Sequence, residues 1–294
     1  MVDDFSTDET PEVIAELPGN VRVLRNETNI ERGASRNRGA AAARAPVLAF
    51  LDSDDVWLPD KLAHQLPRVR QGVAVVTGVR MIDERGQPTG RVYIPPATGA
   101  RQLLTSNPFF GSPSSLLVTK ADFEAAGGFP EDREVQGSED WLFLNALVRA
   151  GCSFATVSEV LIAYRVHPDN STGRPDRVAR SMWAARQKLI AEADVNPAEA
   201  PRLEASTAGM IARQYARERR LGEAWSWTRR ALKTRTARAA AETLSLIPTV
   251  FVGRSVTTPA APSWRRGGGW RREAVQAETQ QATTGGQPSG SADP

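Results

Sequence analysis

The chain has 294 residues, 40% hydrophobic and 24% charged, which suits one large α/β domain with an appendage, and its single cysteine, Cys152, excludes an intramolecular disulfide. Met1 is followed at once by Val2-Asp3-Asp4 rather than by a basic and then apolar segment, and the apolar stretch 244–252 is too short to span a bilayer and contains Pro248. A soluble, cytoplasmic protein is expected, peripheral at most at the inner face of a membrane. The net charge of +3 hides an asymmetry: residues 174–294 hold 20 Lys and Arg against 11 Asp and Glu, and residues 1–173 hold 17 against 23. The acidic part suits a metal-dependent site, and the basic part suits an anionic lipid surface, a polyanion or simply a solvated helix face.

In chain order, Val2 precedes the acidic run Asp3-Asp4-Phe5-Ser6-Thr7-Asp8, as though closing a strand. Thr10-Pro11-Glu12 opens a short helix, residues 21–24 read as a strand, and residues 26–33 as a loop. An Ala-rich helix over 35–45 ends at Pro46, and its small residues allow close packing on a sheet. An apolar strand over 47–51, a helix over 59–70 and a strand over 73–79 follow, an alternation that predicts a doubly wound sheet with ligands at the carboxyl ends of its strands. Residues 91–94 and 114–118 read as strands and 95–113 as a loop-rich passage. A helix over 120–126 is closed by Gly127-Gly128, and Gly137-Ser138-Glu139-Asp140-Trp141 starts an amphipathic helix ending at Gly151. Residues 154–157 and 160–164 read as two strands and 165–171 as a polar loop; a helical period runs over 177–246, and the Gly, Pro, Ser, Thr and Gln beyond Thr257 predict a disordered tail.

The stretch that invites chemistry is Phe50-Leu51-Asp52-Ser53-Asp54-Asp55, where an apolar strand ends in three carboxylates within four positions. Like charges this close repel and raise one another's pKa unless a cation or a row of donors compensates. Hard cations such as Mg²⁺ or Mn²⁺ prefer such oxygens; one or two of the acids could equally cap the helix that begins near Pro59.

Five signatures in order, Asp3-Asp4-Phe5-Ser6-Thr7-Asp8, Asn29 with Gly33-Ala34-Ser35-Arg36-Asn37, the Asp52 cluster, Gly127-Gly128-Phe129 and Glu139-Asp140-Trp141, resemble the family 2 inverting glycosyltransferases of the GT-A fold over about residues 1–172. The resemblance implies a GT-A-like domain over 1–172; periodicity, charge and composition add a basic helical region over 173–256 and a disordered tail over 257–294. It implies transfer of a sugar from a nucleotide-diphosphate donor to a hydroxyl on a glycan or lipid-linked acceptor, in polysaccharide or surface-glycan synthesis, with no nucleic acid as partner. By the same resemblance Asp52, Asp54 and Asp55 hold Mg²⁺ or Mn²⁺ against the diphosphate, and Asp3 and Asp4 read the nucleoside. Arg36 approaches the diphosphate, and Arg165, His167 and Ser171 lie in a loop closing over it. Asp140 is the general base beside Glu139, and Trp141 is a core residue or an acceptor platform. Arg36 could instead be an exposed helix arginine, His167 a structural histidine, and the Glu139-Asp140 pair a plain charge pairing at a helix start; His64 reads as a surface residue.

The family pattern begins with an apolar strand, a Pro-x-Tyr-Asn-like loop and a helix ahead of the acidic pair, whereas Met1 here sits almost on that pair. Such a domain is expected to expose the edges of neighbouring strands. The alternative to an enzyme is therefore an inactive nucleotide-sugar-binding or scaffold protein. A nucleotidyltransferase is disfavoured, since no Gly-rich phosphate loop lies near the first strand.

Overall fold

The computed structural model describes residues 1–17, 20–109, 113–167, 174–192 and 195–233, all within one compact unit. The sheet is built around β5 (Val73–Ile82), whose near-continuous apolar sequence is buried on both faces, as a central strand must be. It pairs in parallel with the 13-residue β8 (Ser153–Arg165) and antiparallel with β6 (Pro88–Tyr93) and β7 (Leu117–Thr119). β7 in turn carries β3 (Val47–Ala49), and β8 carries β4 (Val56–Trp57), giving the order β3-β7-β5-β8-β4 with β6 attached to β5. The two strands expected over 154–157 and 160–164 are thus one strand, with a register shift opposite Gly78. A Cβ there would lie 2.6 Å from Ile94 Cδ1 and 2.8 Å from the Glu159 carbonyl oxygen, so only glycine fits where β8 kinks inward.

β1 (Val2–Asp3) pairs in parallel with β2 (Leu24–Arg25) in a separate two-stranded sheet. Among the described residues β1 and β3 are not paired with each other, so β1 and β2 stand apart from the larger mixed sheet. Helix α1 (Thr10–Ala15) joins β1 to β2; α2 (Glu31–Ala42) starts four residues before the expected Ser35, and α3 (Lys61–Gln65) is shorter than the expected 59–70. A helix the sequence reading missed, α4 (Ala100–Thr105), interrupts the loop-rich passage. Helix α5 (Lys120–Ala125) is capped by Thr119, whose hydroxyl accepts from the Asp122 N–H, and α6 (Glu139–Arg149) follows a 3-10 turn at Arg133–Val135.

The main core lies under the acidic loop, where Phe50, Phe123, Phe129 and Phe143 pack with centroid separations of 4.2 to 5.9 Å. It fixes the end of β3, the Gly127-Gly128 turn and α6 against one another, and these segments carry the acids.

The helices α7 (Pro175–Glu192), α8 (Ala200–Arg217) and α9 (Leu221–Leu232) pack on one another, and α7 lies on the 3-10 turn and α6. The fully buried Arg186 ties them to the sheet domain. Its guanidinium donates to Thr207 Oγ1 at 2.7 Å and to the Leu104 and Thr105 carbonyls, and lies 4.6 Å from the centre of the Trp141 ring. The expected boundary at residues 172 and 173 falls outside the described residues, as do Ser171, residues 234–256 and the tail over 257–294. Among the described residues no helix is long and apolar enough to cross a membrane.

Candidate active site

Three chain segments bring the acids together: the loop after β3, the middle of α2 and the first turn of α6. The close approach of α2 depends on Gly33, where a Cβ would lie 2.3 Å from the Pro130 carbonyl oxygen. Gln136, fully buried, accepts from the Gly33 N–H at 3.1 Å and donates to the Pro130 and Asp132 carbonyls. One turn further along α2, Arg36 points into the site. Its Nη2 donates to Asp52 Oδ1 at 2.6 Å and its Nη1 to Glu139 Oε1 at 2.8 Å, and its guanidinium rests 5.2 Å from the centre of the Phe129 ring. Burial works against the charge of Arg36, but the Asp52 and Glu139 carboxylates outweigh it and raise its pKa further.

Glu139, expected to share catalysis, has both carboxylate oxygens hydrogen-bonded. It is 3% exposed, Oε1 takes Arg36, and Oε2 accepts from the Gly137 N–H at 2.6 Å, so both oxygens are committed to holding the turn. Its neighbour is placed differently. Asp140 is half-buried; Oδ1 accepts from the Trp141 N–H at 2.8 Å and Oδ2 from Asn107 Nδ2 at 2.9 Å. Burial, and next the charge of Glu139, push its carboxyl well above the usual carboxylate range. A carboxylate raised in this way is a better proton acceptor near neutral pH, which suits a general base. Trp141 belongs to the core, since it is 3% exposed and its indole N–H donates to the Leu103 carbonyl at 2.6 Å.

The three aspartates of the loop divide by orientation. Asp55 turns inward: Oδ2 accepts from Ser114 Oγ at 2.6 Å, Oδ1 accepts from the Arg165 N–H at 3.2 Å, and burial pushes its pKa up to about 7. The carboxylate expected to help hold a metal thus anchors the loop to β8 and to Ser114, whose hydroxyl also accepts from the Asp52 N–H. Asp52 and Asp54 keep side-chain exposures of 30% and 36%. Asp54 Oδ2 is 3.1 Å from His167 Nε2, so the sequence-distant histidine does join the cluster. Arg165 does not face it: Nε donates to the Asp54 carbonyl at 2.9 Å and Nη1 to the carbonyls of Asp83 and Glu84, which pins the loop's backbone.

The opening acids play separate parts. Asp3 is 4% exposed and holds its own turn through the Ser6 N–H at 2.9 Å, with Arg25 3.5 Å away; the Ser6 hydrogen bonds lower its pKa. Asp4 Oδ1 accepts from the Ile30 N–H and Asn26 Nδ2, each at 2.8 Å, which ties β1 to the start of α2. Ser114, Asn107 and Gln136 went unnoticed in the sequence, because a polar residue in a loop carries no periodic signal of what it will hold.

Among the described residues no group of three or more His, Cys, Asp or Glu side chains forms a metal cage. The donor set still fits a hard cation. Mg²⁺ and Mn²⁺ ions commonly take one or two protein carboxylates and complete their shell with substrate phosphates and water, and Asp52 and Asp54 are the partly exposed carboxylates here.

Comparison with known proteins gives this arrangement a context. Residues 1–125 match the family model described as glycosyl transferase family 2. The match takes in Asp3, Asp4, Arg36 and the Asp52 loop, while α6 with Asp140 lies beyond it.

Among similar proteins, TuaG of Bacillus subtilis (strain 168), a glycosyltransferase named for teichuronic acid biosynthesis, is 27% identical over 196 residues, 64% of this chain and 75% of TuaG. The succinoglycan biosynthesis protein ExoO of Rhizobium meliloti (strain 1021) is 42% identical over 69 residues, 23% of this chain and 20% of ExoO. The chain thus spans three quarters of one relative and a fifth of the other. Among solved structures, residues 1–349 of TarS from S. aureus in complex with UDP-GlcNAc give a TM-score of 0.54 at 19% identity over 85% of this chain and 76% of that one. The mannosyltransferase PcManGT from Pyrobaculum calidifontis, in complex with GDP-Man and Mn2+, gives 0.51 at 17% identity over 86% and 70%. The curled mixed sheet with its flanking helices is that of the GT-A glycosyltransferases, as expected from the sequence.

Proposed function

We propose that this chain transfers a sugar from a nucleotide-diphosphate donor to a hydroxyl of a growing polysaccharide or surface glycan, with inversion at the anomeric carbon. The observation that carries the reading is the placement of Asp140: a raised, half-buried carboxylate joined through Glu139 and Arg36 to the Asp52 loop. The similarity to proteins named for teichuronic acid and succinoglycan biosynthesis, and to structures holding UDP-GlcNAc and GDP-Man, supports the same class of donor and product.

In this mechanism the acceptor hydroxyl attacks the anomeric carbon from the face opposite the diphosphate. One C–O bond forms as the other breaks, Asp140 takes the hydroxyl proton, and the nucleoside diphosphate departs with the bonding electrons. A single displacement inverts the configuration. Asp52 and Asp54 would hold Mg²⁺ or Mn²⁺, which when bound neutralises charge on the leaving phosphates. Arg36 keeps Asp52 and Glu139 in register, and its buried guanidinium offsets the repulsion among the acids. Asn107 orients the Asp140 carboxylate from the opposite wall. Asp4 holds the β1 loop against α2 on the side where the nucleoside would lie.

The test is incubation of the purified, folded full chain with a panel of UDP-, GDP- and dTDP-sugars and Mn²⁺, with calorimetry for binding and release of the nucleoside diphosphate as readout. Binding and slow donor hydrolysis of at least one sugar are expected. A folded sample that binds none of them and hydrolyses none would overturn the reading in favour of a scaffold.

A further inference from the structure

A second concavity lies beside the acid site, and no part of the donor chemistry above uses it. It encloses about 790 Å³ between the 3-10 turn, the start of α2 and the outer faces of α7 and α9. Two half-buried tryptophans, Trp183 of α7 and Trp227 of α9, lie in its wall with ring centres 5.4 Å apart. Arg230 stacks 3.9 Å from the centre of the Trp183 ring. On the same lining lie four cationic side chains, Arg133, Arg177, Arg180 and Lys188, and two carboxylates, Glu31 and Glu134, with Asp132 as the partner of Lys188.

The rim of this cleft is constrained. Glu31 sits at φ +70°, a left-handed conformation that costs a non-glycine residue on the order of 1–3 kcal/mol and persists where its surroundings over-determine it. Here it is held by Arg177 at 2.8 Å and Arg133 at 3.5 Å, one carboxylate between two guanidiniums. Lys188 pairs with Asp132, and Arg180 and Gln187 stand exposed at the edge. The floor is the segment 133–136, and Gln136 is four residues from Asp140, a separation of at most roughly 14 Å along an extended chain. Ser138 and Ser181, 3.1 Å apart at their hydroxyls, clamp the turn leading to the base against α7.

We propose that this cleft is the acceptor site and that the acceptor is an acidic glycan, its sugar faces on Trp183 and Trp227 and its negative groups on Arg180, Arg177, Arg133 and Lys188; this rests on the glycosyl-transfer reading. The C–H face of a sugar ring is apolar and covers an aromatic ring well, while guanidinium forks bind carboxylate and phosphate oxygens alike. A bilayer is the poorer fit, since a helix lying on a membrane presents its apolar side chains on a convex face. Trp183 and Trp227 lie within a concavity.

The experiment titrates the full chain with three oligomers of equal length, following tryptophan fluorescence and heat: an oligogalacturonate, a phosphodiester-linked sugar oligomer and a neutral cello-oligosaccharide. Phosphatidylglycerol vesicles form a fourth arm. One or both anionic oligomers are expected to bind at least about tenfold more tightly than the neutral one, and which of them binds tells carboxylate from phosphate. Arg180→Glu and Arg180→Ala, at an exposed position, are each expected to weaken that binding, the first by about tenfold and the second by less, with thermal melting and nucleotide-sugar binding unchanged.

Equal binding of the neutral oligomer, unchanged anionic binding by both variants, or binding of vesicles alone overturns the proposal. Anionic binding without turnover of any nucleotide sugar keeps the cleft as an acidic-glycan site but removes its acceptor role along with the transfer reading. Turnover without anionic preference does the reverse.

Discussion

Arg36 Nη2 lies 2.6 Å from Asp52 Oδ1, and through this bond the Asp52 loop is coupled to helix α6, because the same guanidinium also holds Glu139. With side-chain exposures of 12% for Arg36 and 3% for Glu139, removal of the cation leaves a buried carboxylate without its partner. Arg36→Ala is therefore expected to cost on the order of 3–5 kcal/mol in stability. Arg36→Lys should cost less, but it should lose donor turnover because one ammonium cannot span both acids. Denaturant unfolding of both variants checks this; an Arg36→Ala protein as stable as the parent would show that the bridge holds nothing.

Beneath the acid loop, the Lys61 ammonium is 2% exposed, lies 4.3 Å from the centre of the Trp57 ring, and its Nζ has no hydrogen-bond partner among the described residues. Burial pulls its pKa down to about 7. The sign follows from proton counting. Between about pH 7 and the unfolded value near 10.4 the unfolded chain binds more protons than the folded one, so stability rises with pH across that window. The slope from this group reaches at most about 1.4 kcal/mol per pH unit. Lys61→Met, of similar shape, is expected to be more stable than the parent at pH 7 and to show a flatter profile from pH 7 to 10. Parallel profiles for the two proteins would mean that Lys61 is solvated.

The exposed carboxylates lead to a third expectation. Asp54→Asn leaves the His167 contact sterically possible but removes a negative ligand, so calorimetry in Mn²⁺ should show nucleotide-sugar affinity falling by about tenfold or more. Chelation with EDTA should weaken the parent similarly and the variant little. Asp55→Asn should instead act through stability, because Asp55 is only 8% exposed and anchors the loop. If Asp55→Asn alone removed the Mn²⁺ dependence, the division of roles among the three acids would be wrong.

Much of this site was legible in the sequence, and the reason is local. A strand ending in Asp52-Ser53-Asp54-Asp55 and a helix starting at Glu139-Asp140 each announce themselves within six residues, and the ordered motifs pointed to the GT-A fold. Orientation was not legible. Within the four-residue acidic stretch Asp54 faces outward and Asp55 inward, a difference set by Ser114 and by the β8 backbone at Arg165, both far away in sequence. Similarly, the apparent break between residues 157 and 160 is a kink in one long strand, because Gly78 on its partner lets the Glu159 backbone approach. Helix α4 was hidden because its six residues show too little periodicity, and it is held from outside by Arg186 and by the Trp141 indole.

The raised pKa of Asp140 also sets a pH dependence. As the proposed base, Asp140 works only when deprotonated, so transfer should rise as pH climbs through its raised pKa and then level off.

The most direct measurement compares the parent with Asp140→Asn, which keeps the side chain's shape and one of its two accepted hydrogen bonds while removing the proton acceptor. Donor binding is read by calorimetry and sugar transfer by product formation on an acidic oligosaccharide acceptor. The variant should bind nucleotide sugar within about threefold of the parent and transfer at least on the order of a hundredfold more slowly, with the rising limb of the pH profile gone. Transfer by Asp140→Asn at the parent's rate, with the same pH profile, would contradict the assignment of Asp140 as the base.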